Sequence, residues 1–80
     1  MGKNIIGRKL RIYRAMQNPP MQQLEMLAKF QLQKLDYFTQ GTISRIENGD
    51  RAVLDYELLA ISKALKVDIL WLLGEKETPV

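Results

Sequence analysis

Thr39-Gln40-Gly41-Thr42-Ile43-Ser44-Arg45-Ile46-Glu47-Asn48-Gly49 reads as a short helix with a marked start and stop. Thr39 can cap it, because a hydroxyl accepts from the free amides of a first helical turn. Asn48-Gly49 ends it, with Gly49 suited to the left-handed position beyond the last turn. Ile43 and Ile46 lie three apart and so share one side, toward a core. Thr39, Gln40, Gly41, Thr42, Ser44 and Arg45 are then left for solvent or a ligand. Gly41 weakens a helix by roughly 1 kcal/mol relative to alanine, and close backbone approach to a partner would give that weakness a purpose. Gln40 can pair with adenine N6/N7 and Arg45 with guanine O6/N7. Thr42 and Ser44 can reach phosphates or base edges. Taken alone, the segment fits an ordinary capped surface helix and a helix that enters the major groove of DNA equally well.

The hydrophobic spacing on either side is also helical, with no convincing alternating strand. Ile5, Ile6, Leu10 and Tyr13 mark a first helix, with Ile12 a further candidate for its core side. Asn18-Pro19-Pro20 stops it, since proline lacks an amide donor and biases the residue before it away from helix. A second helix runs near Gln22 to Gln33, with two candidate apolar stripes: Met26, Leu27 and Phe30, or Leu24, Leu27 and Ala28. Asp36-Tyr37-Phe38 reads as a connector. A fourth helix begins near Asp55, where Asp55 and Glu57 complement the helix dipole; Leu58, Leu59, Ile61, Leu65 and Val67 supply its core side. Asp68 can cap a short fifth helix, Ile69 to Leu73, ended by Gly74, and a polar, loose tail covers residues 75–80. The expectation is an all-α, five-helix domain over residues 1–74, in which the helices beginning at Gln22 and Thr39 form a helix-turn-helix.

Composition narrows the function. Eighty residues suit one small domain. The chain has neither cysteine nor histidine, which removes disulfides, the usual zinc sites and Ser-His or Cys-His nucleophile pairs. Asp55 with Glu57 and Glu75 with Glu77 are each two apart, a spacing at which helical side chains do not face one another. No phosphate-cradling glycine loop is present, so no enzyme, cofactor or metal is expected. Met16, Met21 and Met26 read as gap-filling or surface residues. No apolar run approaches the roughly 20 residues that span a bilayer. Charges interrupt every apolar stretch near the N-terminus, which does not read as a signal peptide, and Met1-Gly2 is followed by Ile6 where a lipidation signal wants Ser or Thr. A cytoplasmic protein is expected. Residues 1–54 hold nine basic side chains against four acidic ones, a balance of +5, whereas residues 55–80 balance to −2. Such asymmetry suits a basic half facing a polyanion, although an unevenly charged soluble surface would look the same.

Gly41 to Gly49, GTISRIENG, resembles the recognition-helix region of the phage-repressor and Cro-type (XRE-like) helix-turn-helix family. Ile6-Gly7-Arg8-Lys9-Leu10-Arg11 resembles that family's first helix, and Val67-Asp68-Ile69-Leu70-Trp71-Leu72-Leu73 its closing one. The resemblance implies a lambda-repressor-like fold and a regulator of transcription bound to double-stranded DNA, a repressor from a bacterium or its phage. It implies base and phosphate contacts at Thr39, Gln40, Gly41, Thr42 and Arg45. It implies a phosphate-binding and bracing role for Gln23, and phosphate contacts from Asn48 and Arg51 in the loop that follows. Arg14 and Glu47 match a pair that forms an internal salt bridge in relatives; a solvated arginine on a basic face is the plainer alternative for Arg14.

The fifth helix is apolar on every side, so one face must complete the core and another can pair. Trp71 suits the core, and Leu70, Trp71 and Leu73 together are candidate contacts of a homodimer. A two-fold dimer would set two recognition helices about 34 Å apart, one turn of B-DNA. A protein partner such as a toxin, seated on this helix, is the alternative to DNA regulation. The chain departs from the family's pattern in four ways. Its connector, Gln31 to Phe38, is several residues longer and has no glycine. Leu27 stands where a small residue is usual, which should push the two motif helices apart unless the connector absorbs the change. Gln22 replaces a Ser or Thr cap, and Leu54 stands where a capping hydroxyl would precede Asp55.

Overall fold

Periodicity becomes five helices in the computed structural model, which describes residues 5–80. They are α1 (Ile5–Met16), α2 (Gln23–Gln31), α3 (Gln40–Glu47), α4 (Asp55–Leu65) and α5 (Ile69–Leu72). Met1-Gly2 and the rest of the first four residues of the expected domain lie outside the described residues. No strand occurs among the described residues. One core collects Leu10 of α1, Met26 and Phe30 of α2, Ile43 and Ile46 of α3, Ile61 and Leu65 of α4, and Trp71 and Leu72 of α5. The open choice on α2 is thereby decided: Met26 and Phe30 point inward, Leu27 is half-buried at the margin, and Leu24 and Ala28 are exposed. Ile12 and Leu59, expected on core faces, are exposed.

The long connector is filled by its own core residues. Leu35 and Phe38 are both buried, and the Phe38 ring meets Phe30 edge-on with centroids 5.9 Å apart. They follow a turn and belong to neither helix, so a reading by element passes over them. The chain leaves α2 through Lys34 in the left-handed region (φ 69°), and the Leu35 amide reaches back to the Phe30 carbonyl at 3.2 Å. A glycine would hold that conformation without the penalty a Cβ carries there. Leu27 does not hold the motif helices apart, since it lies to one side of the inward stripe and α2 still rests on α3.

Neither missing cap leaves its helix start bare. The Glu25 carboxylate accepts from the Gln22 amide at 2.9 Å, and Glu57 accepts from the Leu54 amide at 3.0 Å. In both places the acidic half of a capping box acts without the hydroxyl half. The expected loose tail turns back on α5: the Pro79 carbonyl accepts from the Asp68 amide at 2.7 Å, and Lys76 Nζ donates to Asp68 Oδ2 at 2.9 Å. Asp68 also caps α5, accepting from the Leu70 amide at 2.8 Å.

α1 crosses α3 with backbone against backbone. Gly7 is buried at the crossing, where an added Cβ would overlap the Ile46 carbonyl oxygen and lie 3.0 Å from Glu47 Cα. Backbone atoms cannot step aside as a side-chain tip can, so only glycine fits. Gly7→Ala is expected to destabilise the domain by about 2 kcal/mol through overpacking, lowering Tm by roughly 8–16 °C. An unchanged Tm in a thermal melt would mean that α1 does not sit on α3 this closely.

Candidate nucleic-acid interface

Glu47, the last residue of α3, is buried, and three donors from two other helices converge on it. Arg14 of α1 forms a fork: Nε donates to Glu47 Oε2 and Nη2 to Glu47 Oε1, each at 2.8 Å. Gln23, at the start of α2, donates Nε2 to Glu47 Oε1 at 3.0 Å. The same arginine also donates to the Met21 carbonyl at 3.1 Å, tying down the segment that leads into α2. A guanidinium fork on a carboxylate fixes orientation as well as distance.

The network continues along α3. Gln23 Oε1 accepts from Ser44 Oγ at 3.0 Å and from Gln40 Nε2 at 3.3 Å. One glutamine thus links the buried carboxylate to two side chains on the outer face of α3. Thr39 caps the helix as expected, accepting from the Thr42 amide at 3.2 Å. Thr42 departs from its expected place at a base or phosphate. It is only 6 % exposed, and its hydroxyl accepts from the Thr39 amide at 3.1 Å, closing the cap from within. Position N3 of a capped helix turns back on the cap, which removes Thr42 from the outer face.

Gln40, Gly41, Arg45 and Asn48 are exposed along that face, with Ser44 half-buried between them. A Cβ added to Gly41 would meet only Thr39 Oγ1 at 3.5 Å and Arg45 Nη1 at 3.7 Å, ordinary contact distances. Among the described residues nothing demands a glycine there. Asn48 Oδ1 accepts from Arg11 Nη2 at 2.7 Å. Arg8 and Arg11 of α1 border a shallow cleft with Glu47 and Asn48. α1 thus brings two arginines to the C-terminal end of α3, a juxtaposition that the first helix's pattern alone does not reveal.

The family model for helix-turn-helix domains matches residues 31–72, just over half of the chain. The chain belongs to the helix-turn-helix family. It is therefore a DNA-binding domain of the kind that regulates transcription. No curated protein and no solved structure matches it. The matched residues take in the connector and α3 to α5 but only the last residue of α2. Arg14 and Gln23 lie before the match and reach it through Glu47, which lies inside.

In this helix-turn-helix domain Arg51 has a different place from the phosphate expected for it. Its Nη1 and Nη2 donate to Glu57 Oε1 and Oε2 at 2.9 and 3.0 Å, and its guanidinium lies over the Phe38 ring, 5.2 Å from the centroid. Glu57 is fully buried and accepts also from the Tyr37 hydroxyl at 2.6 Å. A buried carboxylate needs such partners, and Arg51 is the cation within reach. Trp71, suited to the core and also a candidate dimer contact, is core: it is buried, with Lys9 Nζ 4.8 Å from its ring centroid. Leu70 of α5 and Leu73, which follows it, remain exposed. No helix among the described residues is long and apolar enough to cross a membrane.

Burial by itself pushes the Glu57 carboxyl up, but Arg51, Tyr37 and the Leu54 amide more than offset that and hold it at about 2, below its usual 4.5. A depressed carboxyl stabilises the fold above its unfolded value and loses that contribution as pH falls toward the folded one. The contribution is on the order of 3 kcal/mol, since a carboxyl held one pH unit below its unfolded value stabilises by about 1.4 kcal/mol. Stability is therefore expected to fall between pH 4.5 and about 2. Glu57→Gln should be less stable at neutral pH and should flatten most of that acid limb. Some slope should remain from Asp68, which Lys76 also holds below its ordinary value. Urea unfolding across pH measures both, and parallel acid limbs in the two proteins would contradict the assignment.

Proposed function

We propose that the protein is a sequence-specific repressor that lays the outer face of α3 in the major groove. The observation that supports this best is Gly41. It weakens the first turn of α3, its own protein has room for a Cβ there, and it sits beside Arg45 on an exposed face. Gln40, Ser44 and Arg45 read base edges, with Gly41 admitting close backbone approach. Thr39, Gln23, Asn48 and the basic side chains of α1 take phosphates and set the register. Thr42 and Arg51 are left out of this set, because each already serves the fold. Repression follows from occupying a promoter in the cytoplasm of a bacterium, or of one infected by a phage, with no chemistry performed. Leu70 and Leu73, half-exposed on α5, supply the contact of a two-fold dimer whose recognition helices lie about 34 Å apart. A protein partner such as a toxin would compete for that pair, and sedimentation of the isolated chain distinguishes self-association from a wait for another protein.

A salt-dependent binding assay tests the reading, comparing DNA upstream of the protein's own gene with random duplex. Preference for the upstream site is expected, and no binding even at low salt would defeat it. Arg45→Ala should cost about 1–3 kcal/mol on the preferred site and relax discrimination at one base pair. Equal loss on random DNA would remove Arg45 from base reading. Gly41→Ala should move two quantities in opposite directions. The fold should gain up to about 1 kcal/mol, while affinity for the preferred site falls about tenfold, or ~1.4 kcal/mol. Unchanged affinity would show that no backbone or base comes close to Gly41.

A further inference from the structure

A second surface lies at the far end of α2. Leu32 and Leu35, where the connector leaves α2, face Tyr56 and Leu59 of α4 across a groove of about 320 Å³. Leu32 is 84 % exposed, Tyr56 59 % and Leu59 49 %. Isolated exposed apolar side chains are ordinary, but a contiguous set marks a binding surface. α4 already buries Ile61 and Leu65 on its core side. Tyr56, Leu59 and Lys63, spaced three and four apart, form a second, exposed stripe.

Charge identifies the occupant. Among the described residues, the charged side chains lining the groove are Lys34 and Lys63. No carboxylate among the described residues lines it, and Glu57 on the same helix is turned under and held by Arg51 and Tyr37. The geometry points to an acidic, amphipathic helical segment of another protein, its apolar side chains on Leu32, Tyr56 and Leu59 and its carboxylates at Lys34 and Lys63. A second copy joined here about a two-fold axis would bring like-charged rims together, which disfavours it. Duplex DNA would have to set phosphates against an apolar floor. The groove lies nine helical residues from Gln23, about 13 Å at 1.5 Å per residue. A segment bound there leaves the outer face of α3 free, so this inference goes beyond the DNA reading and stands without it.

The test uses the full chain, labelled for NMR, and two synthetic helical peptides. One carries leucines on a single face and glutamates elsewhere; its twin carries lysines for glutamates. The glutamate peptide is expected to shift the resonances of Leu32, Lys34, Tyr56, Leu59 and Lys63. Leu59→Ser and the double variant Lys34→Glu/Lys63→Glu, at exposed positions, should keep the fold and its melting curve yet weaken that peptide roughly tenfold, and the double variant should now prefer the lysine peptide. Equal affinity of the unaltered protein for both peptides would overturn the proposal, as would shifts lying elsewhere. So would shifts at these residues on raising protein concentration alone, which would make a second copy the occupant, or on adding random duplex, which would make it DNA.

Discussion

The direction in which α3 points depends on the Glu47 carboxylate. A carboxylate this deeply buried is tolerable only if its oxygens are paired, and here α1 and α2 supply the donors. Such a pair adds little net stability, because desolvation offsets attraction. What it adds is geometry. The Arg14 fork sets the rotation of α3 about its own axis relative to α1, and Gln23 passes that orientation to Ser44 and Gln40. None of this could form if α1 stood a side chain further away. Gly7 permits the approach, and the ion pair then selects one arrangement among those that approach allows.

A second buried carboxylate does for the connector what the first does for α3. The connector must cross from α2 to α3 without a glycine at its left-handed residue. It is held by Leu35 and Phe38 in the core and by Tyr37, whose hydroxyl bonds Glu57. Arg51 completes that cluster from the loop after α3 and covers Phe38. The connector is thus tied to α4 as well as to α2, so an arginine that sequence alone would give to a phosphate is needed inside. Among the described residues no buried side-chain nitrogen or oxygen lacks a partner, which is how two buried carboxylates coexist in so small a core.

The features legible in the sequence are those whose cause is local. Thr39 as a cap, Gly49 beyond α3 at φ 82°, Asp68 before α5 and the inward Ile43 and Ile46 all follow from a few neighbouring residues. What escaped depends on residues distant in the chain. Gly7 looks like any helical glycine until α3 lies across it. Leu35 and Phe38 follow a turn and belong to neither helix, so no element marks them. Glu57 reads as a charge at a helix start and Arg51 as a phosphate contact, since hydropathy says nothing about their pairing. Thr42 and Ser44 are both polar residues of one helix, yet the first closes the cap inside while the second bonds Gln23 at the outer face. Helical spacing alone does not separate them.

The two helical glycines bear on function more directly than the polar residues do. At Gly7 the weakness that glycine brings to a helix is explained within the protein, by the Ile46 carbonyl lying against it. Gly41 has no such internal neighbour. Its position in the first turn of α3 leaves the Gln40 and Gly41 amides ahead of the first intrahelical bond, at the positive end of the helix dipole. Thr42 has turned inward and Gln40 is tethered sideways to Gln23, so Thr39 and Arg45 are the side chains nearest Gly41. The helix is capped rigidly at its start and still leaves the Gly41 backbone exposed. The fold explains the rigidity, and the groove contact proposed for this face would give the Gly41 backbone its use.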